Sequence, residues 1–254
     1  QSNTVVFSWW HADSTYHVDT LSTSNIAGKI EYSYRLTGRD WSEWQSGESL
    51  WYSPYTQWIY DEYTGIHTLT LGPLEDGQQL FEVRMKYPTE VFEYNWPMRA
   101  FTIDAMEGPA LMIAPMQTYI DSGAAFYTHV RILEAENLMG VNLKLQYDPS
   151  MLSLRNYSMF DDSLDFLLGS EPDFLNDFTF ITHDETTGIF DLSVGLAGGT
   201  FQGVTGTGAL ILLTFDHIGE RGVTTIDIMD ESTIRDINNT TTLNDTGDGY
   251  VTVW

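Results

Sequence analysis

Alternation of apolar and polar residues with a period of two constrains this chain more than any other feature. In KIEYSYRL (29–36), Ile30, Tyr32, Tyr34 and Leu36 share one parity, while Lys29, Glu31, Ser33 and Arg35 share the other. Successive side chains of a strand point to opposite faces, so this run is a half-buried antiparallel strand. HTLTLGPL (67–74), LFEVRMKYP (80–88), AFYTHVRIL (125–133), VNLKLQY (141–147), IFDLSVGL (189–196), ALILLTF (209–215) and YVTVW (250–254) follow as further strands. Turn formers separate the runs: Thr37-Gly38, Gly72-Pro73, Asp76-Gly77, Thr187-Gly188 and Asp248-Gly249. The best helical spacing is in DDSLDFLLGS (161–170), where Leu164, Leu167 and Leu168 precede a stop at Gly169. Short strands with regular turns predict an all-β chain of β-sandwiches.

With 254 residues, two such sandwiches fit. Composition changes near DAMEGPAL (104–111): every tryptophan except Trp254 lies before it. Up to Met106 there are 14 acids against 6 bases, and beyond it 22 against 5. Glu107-Gly108-Pro109 reads as a stiff joint. The expected domains are therefore 1–106 and 107–254.

The formal charge is -25, from 36 Asp plus Glu against 11 Lys plus Arg. Nucleic acid is excluded as a partner, because binding phosphates needs Lys and Arg to release counterions. No apolar run reaches the roughly 20 residues of a membrane-spanning helix. There is no cysteine, so disulfides, thiolate metal sites and a Cys nucleophile are absent. The sequence opens at Gln1 rather than Met, which reads as a trimmed start, with a signal peptide and further domains as the candidates for what flanks it.

MGVNLKLQYDPSMLSL (139–154) combines a strand with a sharp stop. Val141, Leu143, Leu145 and Tyr147 point one way; Asn142, Lys144 and Gln146 point the other. Pro149 cannot donate to a ladder, and Asp148 favours the turn. Met151, Leu152 and Leu154 then return to the core. FDLSVGLAGG (190–199), GTGALILLTFDHIGERGVTTIDIMD (206–230) and TGDGYVTV (246–253) follow in order. Together these runs resemble a cohesin domain, within the cohesin and carbohydrate-binding-module superfamily. The resemblance implies a jelly-roll sandwich that recognises a protein, a dockerin in the cellulosomal case, on one sheet face. Asn142, Lys144 and Gln146 are then the partner-binding candidates; a solvated sheet face is the alternative reading. The chain departs from the family pattern at one point. The cellulosomal Asn-x-Asp falls on Gly140 and Asn142, so the carboxylate is lost.

The first half is similar to fibronectin- or immunoglobulin-like modules of the bacterial extracellular triple-tyrosine type. IEYSYRLTGRDWSEW (30–44), LGPLEDGQQLFEVRMK (71–86) and RAFTIDA (99–105) carry that likeness. Both resemblances imply a secreted or cell-surface protein.

Catalysis is not expected, since enzymes need convergent acids, bases or nucleophiles. The six histidines are scattered, no phosphate loop or nucleophile elbow occurs, and the pair Glu134 and Glu136 reads as a solvated strand end. No cofactor is required. RDINNTTTLNDTGDGYV (235–251) offers a calcium site through Asp236, Asn238, Asp245 and Asp248, since calcium takes oxygen ligands. An Asn/Asp-rich turn fits the same residues. SLWYSPYTQWIYDEYTG (49–65) concentrates aromatics, and Trp51, Tyr55 and Trp58 are the candidates for stacking on a polysaccharide. The alternative is that these rings are packed over the sandwich.

Overall fold

A computed structural model of the chain describes residues 4–10, 30–37, 41–46, 52–53, 56–61, 66–87, 95–159, 165–168, 178–195 and 203–254. The chain divides into two compact units, Gln1–Ala105 and Met106–Trp254. The described residues are strands and turns, with no helix.

The strands of the first unit are β1 (Val5–Trp10), β2 (Glu31–Leu36), β3 (Gln45–Ser46), β4 (Tyr52–Ser53), β5 (Thr56–Asp61), β6 (Ile66–Leu71), β7 (Gly77–Lys86) and β8 (Met98–Ile103). They form two four-stranded sheets, ordered β1-β6-β5-β4 and β3-β2-β7-β8. Their inner faces meet in one core of Ile30, Tyr32, Leu36, Trp58, Leu69, Leu71, Phe81, Val83 and Ile103, with Phe7 and Trp9 packed against it. The rings of Phe7 and Phe81 stack at 3.8 Å across the two sheets.

The second unit contains β9 (Ala110–Ala114), β10 (Gln117–Ile120), β11 (Ala125–Tyr147), β12 (Leu152–Ser158), β13 (Thr179–Asp184), β14 (Ile189–Gly195), β15 (Val204–His217), β16 (Gly222–Ile228), β17 (Thr233–Asp236), β18 (Asp245–Gly247) and β19 (Gly249–Val253). AFYTHVRIL and VNLKLQY are parts of one strand, β11. Its first half pairs with β9 and β15, and its second half with β14, β16 and β17. The bend between the halves falls where Glu134 and Asn137 take φ of 51° and the register with β15 shifts. One strand thereby serves both layers of the sandwich. Between the layers lie Val130 and Ile132 from the first half, Val141, Leu143 and Leu145 from the second, and Ile211, Leu213, Leu192 and Ile226 opposite them.

Two local expectations are answered here. Thr187-Gly188 does turn the chain between β13 and β14. Gly188 has φ of 69°, and a Cβ there would lie 2.1 Å from the Tyr147 carbonyl oxygen, so only glycine fits. The helix expected in 161–170 is not formed over the described residues 165–168. Phe166 instead makes a parallel bridge to Ala209, with Leu167 N–H donating to the Ala209 carbonyl and Ala209 N–H to that of Asp165. Extended pairing to β15 overrides the leucine spacing.

Candidate functional site

The second half of β11 is held centrally in a sheet ordered β10-β19-β16-β11-β14-β13. Val141, Leu143, Leu145 and Tyr147 are buried in the core, which fixes Asn142, Lys144 and Gln146 on the outward face. Across β14 they stand opposite Ser193, Asp191 and Ile189. One strand further out, Phe180, Thr182 and Asp184 of β13 continue the same rows. On the other side Gln146 faces Asp227 of β16, and Asn142 faces Thr233 of β17.

Local bonds hold this face in shape. Asn142 Oδ1 accepts from the Ser193 hydroxyl at 3.2 Å. Ser232 clasps the Lys144 backbone, accepting from its N–H at 3.0 Å and donating to its carbonyl at 3.2 Å. The Lys144 ammonium lies 3.7 Å from Glu231, an exposed pair of little energetic weight. The remaining charges along the rows are Asp184, Asp191 and Asp227, and exposed Arg235, paired with Gly140, stands in the next row. At its rim Phe180 is 70% exposed, the most exposed large apolar side chain among the described residues. Sequence reading passed over it, although FTFITHD (178–184) carries the same two-residue alternation.

The first place of the Asn-x-Asp pattern falls on Gly140. It pairs with Gly195, and a Cβ there would lie 3.3 Å from the Val194 carbonyl oxygen. A Cβ at this position needs the Val194 carbonyl to give by a few tenths of an ångström.

The Tyr-Asp-Pro stop is built from complementary bonds. Tyr147 is buried, and its hydroxyl is 2.7 Å from Nε2 of His183 on β13. Burial raises the Tyr147 pKa above its ordinary value, so the phenol keeps its proton. Asp148 Oδ1 accepts from the Ser150 N–H at 2.8 Å and hydroxyl at 2.6 Å, and these bonds hold its pKa below the usual carboxylate range.

The calcium candidates do not converge. Asp236 Oδ1 accepts from the backbone N–H of Asn238 at 2.9 Å and of Thr240 at 2.7 Å, which lowers its pKa. Asp245 Oδ1 accepts from Thr246 N–H at 2.8 Å, and Asp248 Oδ1 from Ile228 N–H at 2.8 Å. Burial raises the Asp248 pKa, with Asp227 and Asp230 adding to it. Among the described residues no three His, Asp or Glu side chains form a group able to hold a metal. These residues do not fit a calcium ion. Asp236 and Asp245 are turn-forming residues whose oxygens serve their own loop's backbone, and Asp248 serves that of β16.

The polysaccharide candidates of the first unit fare differently. Trp51 and Tyr55 lie outside the described residues. Trp58 is 3% exposed and belongs to the core, so its ring offers no face to a sugar. Its indole N–H donates to Nδ1 of His67 at 3.2 Å. His67, itself 2% exposed, stacks against Trp9 and Tyr60, and burial pushes its pKa down to about 4. Trp41 and Trp44 cover the polar face of β2 and β7. The Arg84 guanidinium lies over both rings, at 4.1 and 4.7 Å from their centroids, and Arg35 lies over Trp41 at 4.6 Å. Arg35 is paired through two bonds with Glu82, which also accepts from the Trp96 indole N–H at 3.0 Å.

No family model and no curated protein matches the chain. Solved structures do match, over a share of the chain about the size of the second unit. The chain is similar to cohesin domains. A non-cellulosomal cohesin from the archaeon Archaeoglobus fulgidus is 15% identical, with a TM-score of 0.45, covering 57% of this chain and 90% of its own. A type II cohesin domain from the cellulosome of Acetivibrio cellulolyticus is 17% identical, with a TM-score of 0.46, covering 56% and 94%. A type I cohesin–dockerin complex from Clostridium thermocellum gives 12% identity, a TM-score of 0.46 and coverage of 57% and 99%. Cohesin is also the family that the strand motifs of 139–253 resemble. No helix among the described residues is long and apolar enough to cross a membrane.

Proposed function

We propose that the second unit is a protein-recognition module of a secreted or cell-surface protein, and that its role is binding rather than catalysis. The docking surface is the outward face of β13, β14, β11 and β16. The observation that carries this reading is the placement of Phe180 beside the rows of Asn142, Lys144 and Gln146 on one pleated face. An exposed aromatic ring beside polar groups is the composition of an interface core with its rim. The acidic rows of Asp184, Asp191 and Asp227 favour a partner surface rich in Lys or Arg. A dockerin-like module is the expected partner class, on the resemblance of MGVNLKLQYDPSMLSL and the strands after it. With Gly140 in place of the family's first polar anchor, the contact is centred on Asn142 and Phe180 instead. The test is capture of secreted proteins of the source organism on the full chain, with calcium and then with chelator. A calcium-dependent partner with dockerin-type repeats, lost on Phe180→Asp, supports the reading. Capture unchanged by Phe180→Asp and by Lys144→Glu contradicts it.

A further inference from the structure

β13 is the last strand of the sheet ordered β10-β19-β16-β11-β14-β13. Among the described residues its one strand neighbour is β14, and their register runs without a shift from Thr179 opposite Val194 to Asp184 opposite Ile189. Two bonds show how its backbone groups are directed. The Phe178 carbonyl accepts from the Gly195 N–H at 3.1 Å, and the Asp184 carbonyl from the Gly188 N–H at 2.9 Å. The even-numbered residues therefore turn their backbone toward β14. Alternate residues of an antiparallel ladder face opposite edges, so Thr179, Ile181 and His183 present their N–H and C=O groups to the outer edge.

Natural sheets blunt such an edge with Lys, Pro, a bulge or a very short strand. FTFIT (178–182) has no Lys, no Pro, no bulge and no charge. On the outward face Phe178 is 47% and Phe180 70% exposed. On the inward face Thr179, Ile181 and His183 are only half-buried, whereas Phe190, Leu192 and Val194 of β14 are buried. The sandwich thus covers β14 fully and β13 in part, and one more strand beside β13 would find apolar surface on both faces. Charge enters at one end: Asp184 and Glu185 are exposed there, and Asp191 lies opposite Thr182.

We propose that the outer edge of β13 takes up an extended peptide of a partner as an added antiparallel strand. Main-chain bonds to Thr179, Ile181 and His183 supply the affinity, and alternate side chains supply the selectivity. Antiparallel pairing sets the peptide's N-terminal end beside Asp184 and its C-terminal end beside Phe178. Opposite charges and aromatic–β-branched pairs are the favourable cross-strand neighbours, so the peptide begins with Lys or Arg and carries apolar or β-branched residues opposite Phe180 and Phe178. A second copy of this chain is disfavoured as the occupant, because a formal charge of -25 repels a like chain. This edge is distinct from the face of Asn142, Lys144 and Gln146, and its occupancy does not depend on the docking proposed above.

The test is fluorescence anisotropy of labelled heptapeptides titrated with the full chain. The probes are Lys-Thr-Thr-Val-Val-Thr-Ile and its variants with Ile, Tyr or Phe at the fifth and seventh positions, opposite Phe180 and Phe178. Saturable binding of at least one is expected. In that peptide, methylating the amide nitrogen of the fourth residue, opposite Ile181, should abolish binding. Methylating that of the fifth, whose N–H points away from β13, should leave most of it. Exchanging the first Lys for Glu should weaken binding roughly threefold to tenfold. Thr179→Pro removes an outward N–H without touching the β14 ladder, a place where an edge strand tolerates proline. It should weaken binding roughly tenfold, the loss of one main-chain bond. Circular dichroism shows whether Thr179→Pro is folded, and the two methylated peptides test the wild-type chain in either case. No saturable binding by any of the peptides, or equal binding of the two methylated ones, overturns the proposal. So does a dimer of the free chain in sedimentation that Thr179→Pro dissolves, which would make a second copy the occupant.

Discussion

The two units fill their cores with different chemistry. In the first, Phe7, Trp9, Tyr32, Trp58 and Phe81 pack with His67 among them. In the second, Leu, Ile and Val dominate, joined by Phe126, Tyr147, Phe190 and Phe215. The difference follows from size. A unit of about a hundred residues buries a smaller share of its surface than a larger one. Each aromatic ring removes on the order of 150–250 Å² from water, so a few rings supply the apolar burial that many aliphatic chains supply elsewhere. Dense tryptophan in a short module is therefore first a packing solution. In the larger unit the core is met without them, and an aromatic left outside, such as Phe180, is available for contact with a partner.

The largest effects should come from the two cores, and they should be separable. Trp58→Ala should cost the first unit about 3–5 kcal/mol, through the cavity and the hydrogen bond lost at His67 Nδ1. Leu143→Ala should cost the second unit about 2–5 kcal/mol. Every tryptophan but Trp254 belongs to the first unit, so tryptophan fluorescence follows that unit during denaturation. Trp58→Ala should shift the fluorescence transition strongly. If Trp58 were instead a surface ring, the transition would barely move.

Acid should come next. The folded-state pKa of His67, about 4, lies below the ordinary 6.5, so the unfolded chain binds the proton more tightly. The stability held by neutral His67 is complete above about pH 6.5 and is lost as pH falls from there toward 4. The total is about 3 kcal/mol, at 1.36 kcal/mol per unit. His129 in the second unit is also pushed down to about 4, by burial and by Arg131, but it is partly exposed, so its share is smaller. Comparing fluorescence-monitored unfolding of wild type and His67→Gln from pH 7 to pH 4 checks this. The two curves should converge as pH falls; parallel curves would rule out His67 as the source.

Arg84→Met tests the roof over β2 and β7. Two ring contacts should make it worth about 1–2 kcal/mol to the first unit, with nothing lost in the second. The smallest stability effects should come from the outward face of the second unit. Asn142→Ala, Gln146→Ala and Phe180→Ala should each change stability by less than about 0.5 kcal/mol, while their effect on partner capture is large. A large stability loss at Phe180 would mean that the ring is part of the fold and not of a docking surface.

Much of the architecture was legible in the sequence, because period-two alternation is a direct image of which face is buried. VNLKLQY placed Asn142, Lys144 and Gln146 outward without any coordinates. Thr187-Gly188 announced its turn because no other residue tolerates the contact with the Tyr147 carbonyl. Three things were not legible. The bend at Glu134 and Asn137 was hidden, because nothing local in EAEN (134–137) demands a positive φ, and two apparent strands proved to be one. Asp236, Asn238, Asp245 and Asp248 looked like ligands because turn-forming oxygens and calcium-binding oxygens are the same atoms; only their hydrogen-bond partners tell them apart. Trp58 looked available because composition records how many rings there are, not which way they face.

The most direct test of the account is to measure where a captured partner touches the chain. Hydrogen exchange of the full chain would be followed by mass spectrometry, alone and with the protein retained from the source organism's secretions. The account predicts slowed exchange in β13, in β14 and in the second half of β11, with the first unit unchanged. Protection confined to the first unit, with β13, β14 and β11 exchanging as in the free chain, would contradict it.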